Sequence, residues 1–239
     1  MMKSLSTLTD SFLSLLYPSF CFHCHQPMTK DIPLCSDCVS LLQLIDGKER
    51  CPLCFSSHFC PLQNICAHCD HLVPSVNRMA ASFDYDGPAS TLVRKLKYGD
   101  ATHLAEGLSA MMVAQLLALN WPIPEVIVPV PMSIARWIER GYNQSQLLSD
   151  SLGLILNVPV VDVLGRKSGD FSQAGLTRQQ RMTLDGRSLY IKKSNMVTGK
   201  IILLVDDVLT TGSTMNRCAE VLWEESPLAI YGLAFCKAI

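Results

Sequence analysis

Near the start of the chain Leu5, Leu8, Phe12, Leu15 and Leu16 recur at helical spacing, and Pro18 closes the run, which predicts a short amphipathic helix. From residue 78 onward the pattern alternates. Met79–Tyr85 fits a strand, and Ala89–Leu96 and Leu104–Leu119 have helical periodicity. In the longer of these two, Leu104, Leu108, Met111, Met112 and Leu116 share one side. Val126–Pro131 reads as a short buried strand closed by proline, Asn143–Leu156 as a helix and Val158–Leu164 as a strand. Gly165–Arg187 keeps no period and has the polarity of a mobile loop. Lys200–Val205 is a continuous apolar strand, Thr214–Glu225 a helix and Ala229–Cys236 a closing strand. Apolar strands alternating with helices predict an α/β domain with a mainly parallel sheet covered on both faces.

Composition divides the 239 residues into two unlike halves. Residues 1–77 hold four basic and six acidic residues and nine of the eleven cysteines; residues 78–239 hold sixteen basic and fifteen acidic. A division at 77/78 follows, beside the connector His71-Leu72-Val73-Pro74-Ser75. The overall balance, 20 Lys+Arg against 21 Asp+Glu, excludes a uniformly basic nucleic-acid binder. No apolar run approaches the ~18 residues of a membrane span. Lys3 is the only basic residue before Pro18, and Asp10 interrupts the apolar stretch, so the N-terminus does not have the form of an export signal. The expected location is the cytoplasm, where clustered cysteines are more often metal ligands than disulfides.

The cysteines form a repeat. Cys21-x2-Cys24 precedes Cys35-x2-Cys38 by ten residues, and Cys51-x2-Cys54 precedes Cys66-x2-Cys69 by eleven. Each CxxC knuckle can present two thiolates to one tetrahedral ion, so two structural zinc sites are expected, with sequential pairing favoured and exchange of knuckles between the two left open. Disulfides and a redox dithiol are the competing readings, but a redox CxxC belongs near a βαβ unit. Cys60 fits neither set. His23, His25, His58, His68 and His71 lie close in sequence and are expected outside the ligand set, since four thiolates already close a site. A segment with so few large aliphatics needs its metal to fold.

Ile201-Ile202-Leu203-Leu204-Val205-Asp206-Asp207-Val208-Leu209-Thr210-Thr211-Gly212-Ser213-Thr214 carries the most chemistry. An apolar strand runs into two acids, then into a loop of hydroxyl residues that opens a helix. Free N–H groups at the helix start favour an anion, the hydroxyls add donors, and Gly212 allows close approach. The acids repel phosphate and suit neutral donors such as sugar hydroxyls. One strand-loop-helix can therefore hold a phosphorylated ribose, with the phosphate on Thr210–Thr214 and the sugar on Asp206 and Asp207. The alternatives are a Thr-rich helix cap and a Walker B strand; the second lacks its GxxxxGK[ST] partner.

VDDVLTTGST resembles the phosphoribosyl-pyrophosphate (PRPP) motif of type I phosphoribosyltransferases. With the CxxC-rich N-terminus, LVRKLKYGD (Leu92–Asp100), VPVP (Val128–Pro131), ERGYNQSQLL (Glu139–Leu148) and QAGLTRQQR (Gln173–Arg181), the chain resembles the ComF family over roughly residues 12–236. That resemblance implies a double zinc ribbon joined to a type I phosphoribosyltransferase-like parallel sheet. It implies PRPP binding by Asp206, Asp207, Thr210, Thr211, Gly212, Ser213, Thr214, Pro131, Met132, Ser133 and Arg140. Asp206, Asp207, Arg178 and Arg181 would carry catalysis, Arg136 would add positive charge near the leaving group, and Mg²⁺ would accompany the pyrophosphate. The implied activity is phosphoribosyl transfer to an unspecified nitrogen acceptor, linked to competence and DNA uptake. The implied partners are single-stranded DNA and a helicase or DNA-uptake channel component, met in the cytoplasm or at the inner face of its membrane. A non-catalytic DNA-binding or protein-docking module is the alternative. After Arg181 the chain reads Met182-Thr183-Leu184-Asp185-Gly186, without the Asn usual in the family's loop.

Overall fold

The computed structural model describes residues 19–29, 32–60, 62–63, 65–67, 69, 75–166 and 189–238. The helix expected before Pro18, the loop bearing Arg178 and Arg181, His68 and most of the connector near residue 71 lie outside the described residues.

Two small hairpins come first. β1 (Ser19–Phe20) pairs antiparallel with β2 (Pro27–Met28), followed by the short helix α1 (Ser36–Ser40). β3 (Phe59–Cys60) pairs antiparallel with β4 (Ile65–Cys66). The segment between the hairpins docks on the rest of the chain. The Ile45 amide donates to Ser82 O at 3.0 Å, the Met79 amide to Leu53 O at 2.9 Å, and Gln115 Nε2 to Ile45 O at 3.0 Å. Cys21, Leu34, Cys38, Ile45 and Phe55 consequently share one apolar core with the later elements.

The α/β part runs β5 (Arg78–Asp84), α2 (Gly87–Tyr98), α3 (Leu104–Ala118), β6 (Val126–Pro129), α4 (Ile134–Arg140), α5 (Gln144–Leu156), β7 (Leu164–Arg166), β8 (Leu189–Ile191), β9 (Ile201–Leu209), α6 (Ser213–Trp223) and β10 (Ala229–Lys237). The main sheet has the order β5-β10-β9-β6 and is parallel throughout. Ile202 to Val205 are fully buried, as expected for a strand covered on both faces. Leu104, Leu108, Met112 and Leu116 are buried as the helical period requires, whereas Met111 is only partly buried.

Three elements differ from expectation. The strand expected over Val158–Leu164 is reduced to a single parallel bridge, Val160 to Ile127, and Leu164 instead begins a hairpin in which β7 pairs antiparallel with β8. Helix α4 has no counterpart in the periodicity. Its Ile134, Trp137 and Ile138 are all exposed, so burial does not pattern it; its ends do, with Ser133 Oγ accepting the Arg136 amide at 3.4 Å and Gly141 at φ +78° stopping it. β9 runs four residues past Val205, because β10 keeps pairing with it as far as Lys237 opposite Leu209. On the other flank β6 ends at Pro129, opposite Val205. Past that point one edge of β9 loses its neighbour strand, and a crevice opens at the carboxyl end of the sheet.

Candidate functional site

The acid pair stands where β9 outlasts β6. Asp206 and Asp207 line a cleft of about 320 Å³, bounded by the turn after β6, the start of α5 and the loop after β9. Asp206 Oδ1 accepts from Ser145 Oγ at 2.8 Å and from the Asp207 amide at 2.9 Å. Asp207 Oδ2 lies 3.1 Å from Lys97 Nζ at the end of α2. Asn143 caps α5, accepting the Ser145 amide at 3.1 Å while its Nδ2 donates to Val130 O at 3.0 Å. Those two bonds join the turn after β6 to the helix start and set Ser145 against the acid.

Burial pushes the Asp206 carboxyl up to about 7, and the Asp207 charge beside it acts in the same direction; the Ser145 and Asp207 donors and the more distant Lys97 only partly offset this. A carboxyl raised in the folded state binds its proton more tightly there than in the unfolded chain. Its contribution to stability is therefore full below about pH 4 and is lost as the pH rises toward 7. Asp206→Asn, which keeps an acceptor for Ser145, is expected to melt higher than the native protein at pH 8, by ~2–4 °C per kcal/mol relieved. The difference should fade below pH 5. Equal melting temperatures across that range would show that Asp206 is not strained by ionisation.

The loop after β9 leads directly into α6. Gly212 sits at φ +79°, and a Cβ there would meet Met79 Sδ at 2.7 Å. Gly212→Ala is expected to cost about 1–2 kcal/mol, read by denaturant titration. Thr211 Oγ1 accepts the Ser213 amide at 3.4 Å, and Gly212, the N-cap of α6, has no side chain to cap the helix. From the end of β10, Lys237 Nζ donates to Thr210 O at 2.7 Å and fixes the loop from behind; burial lowers the pKa of this lysine.

Of the expected site residues, Asp206, Asp207, Thr210, Thr214, Pro131, Met132 and Arg140 line this cleft, and so does Arg136. Ser133 does not; its hydroxyl caps α4. Thr211 lines a neighbouring cleft, and Gly212 and Ser213 form the N-terminal end of α6. Arg140 stacks on Tyr98 with 4.8 Å to the ring centroid and donates to Gln144 Oε1 at 3.1 Å and to Tyr98 Oη at 3.0 Å. Gln144 Nε2 and Arg140 Nε are buried and have no hydrogen-bond partner among the described residues. Ser145, Gln144, Arg166 and Lys237 are the residues that sequence reasoning missed. For Lys237 a signal existed: a lone cation at the end of a closing apolar strand.

The eight expected cysteines gather as two sets, Cys21, Cys24, Cys35, Cys38 and Cys51, Cys54, Cys66, Cys69, so the pairing is sequential. Cys24 Sγ lies 3.6 Å from Cys35 Sγ, and Cys51–Cys69 and Cys54–Cys66 are each 3.7 Å apart. Zn–S bonds of about 2.3 Å in a tetrahedron put sulfurs about 3.8 Å apart, so the donor set fits such an ion. Burial opposes ionisation of Cys21, but amides of Cys24, Cys35 and His23 turned toward its sulfur bring it down to about 6. Cys60 is exposed and outside both sets.

An acid pair near the carboxyl end of a central parallel strand is followed by a hydroxyl-rich loop that opens a helix, and residues 139–236 match the phosphoribosyl transferase domain family. The chain is 28% identical over 217 residues to competence protein F of Haemophilus influenzae, covering 87% of each. It is 27% identical over 244 residues to DNA utilization protein YhgH of Escherichia coli K12, covering 94% of this chain and all of that one. It is 29% identical over 210 residues to competence protein ComFC of Bacillus subtilis, covering 83% of this chain and 81% of that one. The chain is thus similar over most of its length to competence and DNA utilization proteins, with two four-cysteine modules ahead of a phosphoribosyltransferase-like sheet. No helix among the described residues is long and apolar enough to cross a membrane.

Proposed function

We propose that this chain binds PRPP with Mg²⁺ in the cleft of Asp206 and Asp207 and works in competence-linked handling of DNA, the role its relatives' names indicate. The single observation that carries the PRPP reading is the pairing, in one cleft, of the carboxylates of Asp206 and Asp207 with the hydroxyls of Thr210 and Thr214. The acids take ribose hydroxyls. Thr210, Thr211, Gly212, Ser213 and Thr214 take the 5′-phosphate through hydroxyls and first-turn amides. Pro131, Met132 and Ser133 offer the turn that approaches pyrophosphate, and Arg140 with Gln144 turns buried N–H groups toward it. Arg178 and Arg181 are assigned to the leaving group from the family resemblance alone. Mg²⁺, held mainly by phosphate oxygens and water, would neutralise charge on the pyrophosphate.

In the transfer step the C1–O bond of the ribose breaks, pyrophosphate leaves with the bonding pair, and a nitrogen acceptor forms the new bond and gives its proton to solvent. The chain contributes position and charge. Zinc in both cysteine sets holds the N-terminal module, which ends near residue 77. In this role the protein meets incoming single-stranded DNA, with a helicase or uptake-channel component, on the cytoplasmic side of the membrane. Calorimetric titration with PRPP and Mg²⁺ tests the binding, and pyrophosphate release across a panel of bases and amines tests the transfer. Saturable heat is expected in the first; none would overturn the PRPP assignment.

A further inference from the structure

A second cleft, of about 340 Å³, adjoins the phosphate loop, and Thr210 lines both. Its remaining walls come from distant parts of the chain. Arg50 and Ser56–His58 arrive with the second cysteine module, and Lys237 and Ala238 from the end of β10. The chemistry of the lining is one-sided. Arg50, His58 and Lys237 supply N–H groups, and Ser56, Ser57, Thr210 and Thr211 supply hydroxyls. Among the described residues no carboxylate lines it; Asp84 lies outside the lining and is engaged by Arg50 at 2.7 Å.

Lys237 gives the cleft its character. The residue is 8% exposed, and its Nζ donates to two carbonyls, Thr210 O at 2.7 Å and Ala238 O at 2.8 Å. Its third hydrogen has no acceptor among the described residues. A buried ammonium with only carbonyl partners is incompletely compensated, and a ring of donors around it complements an oxyanion. The volume is at the small end of sites for small molecules.

We propose that this cleft is a second ligand site, taking a small molecule that presents an anionic oxygen group, carboxylate or phosphate, to Lys237, Arg50 and His58. The site exists only where the cysteine module meets the sheet, so neither part binds such a ligand alone.

The test uses ¹⁵N-labelled full-length protein without PRPP, titrated separately with sodium phosphate and sodium acetate while the amide shifts of Ser57 and His58 are followed. Saturable shifts with either anion are expected, weakened about tenfold or more in Lys237→Met. Response to phosphate alone assigns a phosphate ester, and response to acetate alone a carboxylate. If Lys237→Met fails to fold, His58→Gln, at the cleft rim, carries the same expectation. Shifts absent with both anions up to about 50 mM, or unchanged affinity in the folded variants, would overturn the site. Because PRPP is left out, that failure would leave the PRPP reading standing.

Discussion

Removing metal from the native protein is expected to unfold the second cysteine module beyond Phe55 and to weaken the whole chain. The buried cluster around that module consists of Cys51, Cys54 and Cys66, with Phe59 and Cys69 packed against it. No large aliphatic is among them, so little apolar burial opposes the chain entropy once the ion is gone. Structural zinc in small modules contributes ~10 kcal/mol or more of apparent folding free energy. The first module should fare differently: Cys21 and Cys38 share the main core with Leu34 and Ile45, and Lys95 lies 5.0 Å over the Phe22 ring, whereas the second module reaches that core through Phe55. Partial order should persist there. The β5 edge, which receives Leu53 O on the Met79 amide, should fray. Two metal equivalents released to a chelator, loss of amide dispersion over residues 56–69 and a lower melting point are the expected results. Full retention of structure by metal-free protein would remove metal from the fold. Cys60→Ser, outside both sets, should change nothing.

The double variant Asp206→Asn with Asp207→Asn is expected to lose PRPP affinity by at least 100-fold. Each carboxylate–hydroxyl bond is worth ~1.5–3 kcal/mol, and two removed together multiply. The amides preserve shape, and the amide oxygen introduced at position 206 would still accept from Ser145. The Lys97 partner at 3.1 Å loses its charge complement, at a modest cost because it is partly exposed. Relief of repulsion between the two acids works the other way, so the variant should fold at least as well as the native protein at pH 8. A well-folded variant with native PRPP affinity would place the sugar elsewhere.

The main elements of the site were legible because each depends on local chemistry. Asp206, Asp207 and the hydroxyl run are contiguous, and the two knuckle pairs repeat with nearly one spacing. The rest is non-local. Ser145 reaches Asp206 across 61 positions, and Lys237 reaches Thr210 across 27. Helix α4 places Ile134, Trp137 and Ile138 at i, i+3 and i+4, but at seven residues it is too short for the period to stand out. The strand expected at Val158 meets β6 in a single bridge, Val160 to Ile127, a pairing that only the packed sheet decides.

Periodicity, spacing and local residue chemistry are properties of neighbours along the chain, and from them follow the alternating α/β order, two four-thiol sets and an anion-favouring turn after an acid pair. Strand register and packing join residues that the chain keeps apart. They leave β9 uncovered beyond Pro129, bring Asp206 toward neutrality by burying it beside Asp207, and dock Arg50 and His58 beside Lys237. Those outcomes depend on where one strand ends relative to another and on how much water is excluded, neither of which is encoded in any local stretch of residues.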